Sequence, residues 1–225
     1  MSYLDLPLLE QAILTLAALT LASAFALLAQ SRVVATIHVF AVQGFLLAAI
    51  TVLVALDTGE LHLYISAALT LGLKALFIPW LLVRLARQLH ILRDWDTVIR
   101  PGITLLGAGA LVIFCYSVVQ PIEQYAAGTT RDAIALSLAV VMLSLLMLVT
   151  RRKAVTQVVA FMALENGMFF AAVTATQGMP LVVELGIAFD VLVAAVIFGV
   201  FFFHIRESIE SLDVDQLNRL SEHEE

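Results

Sequence analysis

The stretch Phe161-Met162-Ala163-Leu164-Glu165-Asn166-Gly167 places a carboxylate in the middle of a long apolar segment, Ala154 to Thr176. The segment has the length and composition of a helix in lipid. A charge at that depth costs roughly 2.5–3.5 kcal/mol or more, and such groups mark functional sites.

The rest of the chain has the same apolar character. Of 225 residues, 62% are hydrophobic and 13% charged, with a mean hydropathy of +1.02. Soluble domains carry about a quarter charged residues, so the composition specifies an integral membrane protein. The net charge of −6 gathers its acidic excess in the C-terminal tail. No basic stripe with interleaved aromatics appears, which excludes a nucleic-acid partner and leaves lipid as the surrounding medium. Cys115 is the single cysteine, so neither a disulfide framework nor a cysteine metal site forms within the chain. The N-terminus lacks the basic n-region of a cleaved signal.

Seven spans are expected, over Leu8–Ala29, Val34–Leu56, Leu61–Leu85, Gly102–Pro121, Ala133–Thr150, Ala154–Thr176 and Leu181–Phe203. Each suffices to cross a hydrocarbon core of roughly 30 Å as a helix, and helices satisfy the backbone in lipid. The fold class is therefore all-α and integral to the membrane. Arg84 to Arg100 forms a mixed-charge loop with room for a short interfacial helix carrying Trp95. The alternate loops and the tail hold Arg32, Arg84, Arg87, Arg93, Arg100, Arg151, Arg152, Lys153, Arg206 and Arg219, ten of the twelve basic residues. That asymmetry orients the N-terminus outward and the C-terminus toward the cytoplasm.

Spans one to three and five to seven read as two parallel copies of one unit. Gln11-Ala12-Ile13 resembles Asp132-Ala133-Ile134, and Arg32 falls opposite Lys153 at the same offset. The register then sets Gln43 opposite Glu165 and Lys74 opposite Asp190. The chain divides into an N-terminal unit with its loop (1–100), a linking span (101–131), a C-terminal unit (132–205) and a cytoplasmic tail (206–225).

Glu165 lies 11 residues past Ala154, about 16 Å along the axis, and Asp190 nine residues past Leu181, about 14 Å from the opposite edge. Two carboxylates thus sit near mid-membrane on neighbouring helices, with Lys74 and Gln43 at similar depth. Acids and a lysine at one depth suit proton transfer, because burial and proximity tune their charge states. The structural alternative is that Lys74 pairs with an acid only to hold helices together. Pro79 removes a backbone donor beside Lys74 and either kinks span three beside the charge or is an ordinary membrane proline. Asn166 is placed to hydrogen-bond the acid, and Gly167 to permit close helix approach. Glu184, near the outer interface, and His38, one turn inside span two, are further relay candidates. His62 and His204 read as interfacial, and Cys115 as core packing. No HExxH motif, P-loop, nucleophile–base set or paired haem histidines appear, so the chain is not an enzyme by itself and holds no metal or cofactor.

Leu164-Glu165-Asn166-Gly167, Val183-Glu184-Leu185-Gly186-Ile187-Ala188-Phe189-Asp190, Lys74 followed by Pro79, Val119-Gln120-Pro121 and Leu212-Asp213-Val214 together resemble the hydrogenase-4 membrane component E family. The resemblance covers essentially the whole chain. It implies a subunit of a group 4 nickel–iron hydrogenase or formate hydrogenlyase complex in a prokaryotic inner membrane. Antiporter-like and complex I-like membrane subunits and a cytoplasmic hydrogenase-like redox arm would be its partners. The nickel–iron centre and iron–sulfur clusters would belong to those partners. The three C-terminal spans resemble subunit K of respiratory complex I and the third subunit of multi-subunit sodium/proton antiporters. Two intramembrane glutamates of subunit K serve a lateral proton path. By position Glu165 matches the first, and Asp190 or Glu184 the second. The function expected is a non-catalytic proton or cation relay. The alternatives are a structural spacer in that complex or a subunit of an antiporter-type assembly.

Overall fold

The computed structural model describes residues 7–88, 101–120, 128–175, 186, 190–197 and 199. Among them the chain is helical throughout its long segments: α1 (Leu8–Ala29), α2 (Val33–Thr58), α3 (Leu61–Gln88), α4 (Pro101–Val119), α5 (Gly128–Thr150) and α6 (Ala154–Ala175). Six helices among the described residues are long and apolar enough to cross a membrane. Residues 190–197 are helical too and fall within the seventh expected span. Glu184, the loop around Trp95 and the tail lie outside the described residues. Helix bounds follow the apolar runs closely, except that α3 runs on to Gln88 and α5 begins at Gly128.

The turns have local causes. Gly59 ends α2 in the left-handed conformation, φ 74°, and its N–H bonds the Ala55 carbonyl. A side chain is strained at that φ, and glycine is not. Within the helices, buried hydroxyls return to their own backbone. Thr20 donates to Leu16 O, Thr51 to Leu47 O and Ser144 to Val140 O. In lipid this removes the cost of an unpaired donor.

Helices α5 and α6 form a tight hairpin, α1 packs on both α2 and α5, and α2 also contacts α3 and α6. Gly167 on α6 makes the hairpin close: an added Cβ would stand 2.8 Å from a Val141 methyl and 3.0 Å from the Val141 nitrogen. This is the close approach expected of that glycine. Helix α4 lies against α1 and α5, with Cys115 fully buried.

The core is split into two apolar clusters. One gathers Leu27, Phe40, Ile78, Leu143, Val159 and Ala163. The other gathers Ala17, Leu47, Leu63, Leu136, Phe169 and Phe170. On α2 the clusters stop at Phe40 and resume at Leu47, with Gln43 between. On α3 they stop at Leu63 and resume at Ile78, with Lys74 between, and on α6 they leave a gap at Glu165 and Asn166. A polar layer is therefore enclosed between two apolar ones.

Arg151, in the basic turn after α5, points inward and is 3% exposed. Its Nη2 donates to the carbonyls of Leu27 (2.8 Å), Leu28 (3.2 Å) and Gln30. These are among the carbonyls that the end of α1 leaves without intrahelical partners, and the guanidinium also faces the negative pole of the helix. Gln157 donates back to the Arg151 carbonyl at 3.0 Å, which steadies the turn. Arg151→Ala is expected to lower stability by about 3 kcal/mol by stranding buried carbonyls. Unfolding by sodium dodecyl sulfate in mixed micelles measures it, and a loss below about 1 kcal/mol would show that the clamp is dispensable.

Candidate functional site

Lys74 is the hub of the polar layer. Its Nζ lies 2.8 Å from Glu165 Oε1 and 3.5 Å from Asp190 Oδ1, and the three side chains are 2%, 8% and 4% exposed. Three residues far apart in sequence, on three helical segments, thus share one contact. The Phe169 ring, one turn beyond Glu165 on the same face of α6, approaches the ammonium at 5.5 Å. Its quadrupole adds a weak favourable term.

The backbone around Lys74 is not α-helical. Leu71–Phe77 forms a π-helical stretch within α3, closed by the Ile78 N–H on the Leu73 carbonyl. Pro79 explains its place. In an α-helix its ring would clash with the carbonyl of Ala75, and it has no N–H to donate. Widening the preceding turn removes both conflicts, and such insertions often mark functional sites. A π-helical register change before Pro79 thus stands where sequence offered a kink.

Gly44 supports this turn from α2. A Cβ there would lie 3.1 Å from the Lys74 carbonyl carbon and 3.2 Å from Ala75 N. The absence of a side chain lets α2 rest directly on the Lys74 backbone. Sequence reasoning passed over Gly44. The available signal was its position beside Gln43, at the depth of the charges.

Gln43 and Asn166 are fully buried and bonded to each other, Asn166 Nδ2 donating to Gln43 Oε1 at 3.3 Å. The expectation that Asn166 would bond the acid is corrected, because its amide faces α2. Gly186 lies over Glu165, its position for a Cβ 3.5 Å from Oε1. His38 is exposed on α2, so the structure does not bring it into the cluster. Among the described residues no group of three His, Cys, Asp or Glu side chains is placed to hold a metal ion.

One ammonium balances one carboxylate. With both acids ionised the cluster carries a net negative charge, and one added proton neutralises it. The arrangement can thus store or release a proton between apolar layers. As a purely structural device it is a poor choice, because desolvating three ionic groups offsets most of their attraction.

Fold and site together define a polytopic helical membrane protein with a buried acid–lysine–acid cluster. No family model matches the chain, and no solved structure does. It is 33% identical over 187 residues to an uncharacterized protein of Mycobacterium tuberculosis, covering 83% of this chain and 85% of that one. It is 28% identical over 147 residues to hydrogenase-4 component E of Escherichia coli K12, covering 65% of this chain and 68% of the relative. Hydrogenase-4 component E of Shigella flexneri matches with the same values. The chain is thus a distant homologue of hydrogenase-4 component E.

Because Gly44 abuts backbone rather than a flexible side chain, Gly44→Ala must push α3 away by a few tenths of an ångström, and Gly44→Leu by far more. The leucine variant is expected to cost about 1–3 kcal/mol through overpacking and the alanine variant less. Unfolding of both in detergent micelles checks the order; unchanged stability in Gly44→Leu would refute the close contact.

Proposed function

We propose that this chain is a non-catalytic membrane subunit of a hydrogenase-4 or formate hydrogenlyase-like complex. In this reading it carries part of a mid-membrane proton relay coupled to redox chemistry on partner subunits. Distant homology to hydrogenase-4 component E supports the assignment to such a complex. The single observation that carries the relay is the sharing of Lys74 by Glu165 and Asp190 between two apolar layers.

In the relay, a proton reaching either carboxylate releases that acid from Lys74, and the ammonium turns to the other. The proton then moves on and the first pairing returns. The two acids alternate as the charged partner, so a change on one side of the cluster is felt on the other. Gln43 and Asn166 hold α2 and α6 in register beside it. Nickel, iron–sulfur clusters and the hydrogen- or formate-handling site belong to the partner chains. Antiporter-like membrane subunits in the bilayer and a cytoplasmic redox arm complete the assembly, with the N-terminus outward and the C-terminus cytoplasmic.

The two-unit organisation with a seventh span belongs to the same reading. Helix α1 packs on α5 and α2 on α6, which are the helices a parallel duplication makes equivalent. The bond from Asn166 to Gln43 crosses that interface, joining neighbourhoods that correspond in the two units.

Glu165→Gln keeps the shape and removes the charge. In the assembled complex, reconstituted in sealed vesicles, it is expected to abolish proton translocation coupled to redox turnover while the subunit still assembles. Unchanged proton stoichiometry at unchanged turnover would reject the relay.

A further inference from the structure

Helix α3 carries His62, Ser66, Thr70 and Lys74 at successive intervals of four residues. From His62 to Thr70 these four-residue steps keep the side chains on one face of an α-helix, each about 6 Å further along the axis, and Lys74 follows in the π-helical stretch. The burial follows that pattern. His62 is partly exposed at the end of the helix, and Ser66, Thr70 and Lys74 are 1%, 4% and 1% exposed. At the α2–α3 turn, His62 Nδ1 stands 3.4 Å from Glu60 Oε2.

Ser66 differs from most of the other buried hydroxyls among the described residues. Thr20, Ser23, Thr51, Ser137 and Ser144 each donate to a carbonyl of their own helix. Ser66 Oγ has no hydrogen-bond partner among the described residues although it is buried. A buried hydroxyl with no protein partner is ordinarily satisfied by ordered water. Gln43 Nε2 and Asn166 Oδ1, beside the cluster, are buried and unpartnered in the same sense.

We propose that His62, Ser66 and Thr70 form a hydrated proton path along α3, joining the Lys74–Glu165–Asp190 cluster to the membrane surface at the α2–α3 turn. The path rests on the relay reading and supplies the access that the relay needs. A proton taken up at the surface makes His62 an imidazolium. It passes from there to water held at Ser66, and the imidazole returns to neutral. The hydroxyls of Ser66 and Thr70 accept one proton as they donate another, so neither changes charge. The gaps from His62 to Ser66 and from Ser66 to Thr70, about 6 Å each along the axis, are each spanned by one bridging water, and water also joins Thr70 to the cluster. The proton ends on a carboxylate of the cluster or on a Lys74 amine that has given up its own. The reverse sequence releases it.

The test uses the assembled complex in sealed vesicles, reading the rate of proton translocation and the protons translocated per redox turnover, together with subunit assembly. Ser66→Val fills the water position and removes the hydroxyl, and is expected to slow proton transfer about tenfold with assembly retained. Ser66→Ala leaves room for water and is expected to stay near the native rate. Native translocation in Ser66→Val, or an equal loss in Ser66→Ala, would overturn the path. If Ser66→Val does not assemble, Thr70→Val, which matches threonine in shape, is expected to show the same loss, and native translocation there would overturn it. Glu165→Gln run alongside separates the two ideas. Coupling lost in Glu165→Gln but kept in the α3 variants rejects the path alone, and coupling kept in Glu165→Gln rejects the relay itself.

Discussion

A lysine ammonium held between two carboxylates, with apolar side chains above and below, is the contact on which the rest of this bundle depends. Lys74 meets Glu165 at 2.8 Å and Asp190 at 3.5 Å. Moving such groups out of water is expensive, and an uncompensated charge left by the loss of one partner is more expensive still. The geometry of three helical segments must therefore converge at one depth. The features that produce this convergence are backbone features. Pro79 displaces the preceding turn into a π-helical register, and Gly44 lets α2 lie against the Lys74 carbonyl. Gly167 draws α5 onto the helix that carries Glu165.

The polar layer is confined by the packing around it. The cluster from Leu27 to Val159 fills one half of the bundle, and the cluster from Ala17 to Val173 fills the other. Both keep bulk water from the ions, and both stop short of them. A group that must change protonation benefits from that confinement, since the electrostatic coupling between neighbours is strong where the dielectric is low. Arg151 is a buried charge of another kind. Its guanidinium is consumed by the carbonyls at the end of α1, and it ties the start of the α5–α6 turn to the first helix.

The charges were the most legible part of the candidate site. Glu165, Asp190 and Lys74 stand out because each interrupts an apolar run, and counting residues from the span edges placed them at one depth. Gln43 followed from the same count. The faces of the helices were not legible, because a helix in lipid is apolar on every side and shows little amphipathic pattern. His38 illustrates this: its depth was readable, but its outward direction was not. Asn166 illustrates it again, next to the acid in sequence yet bonded to Gln43 on another helix. The four-residue spacing from His62 to Lys74 was readable from sequence. It gained meaning only when Ser66 proved to be buried without a protein partner.

The amino-acid sequence by itself determined that this protein lives in a membrane as a set of long helices. Composition and run length settle that through the cost of exposing apolar surface to water and bare backbone to lipid. It also singled out the ionisable groups that interrupt the apolar runs. Only the tertiary structure decided that one lysine serves both acids, that α3 unwinds by a π-turn to deliver it, and that Arg151 turns inward to cap α1. Those outcomes depend on how helices with no polar face of their own choose their neighbours. That choice is made by close packing at glycines and by pairing of the few polar groups, neither of which any single segment reveals.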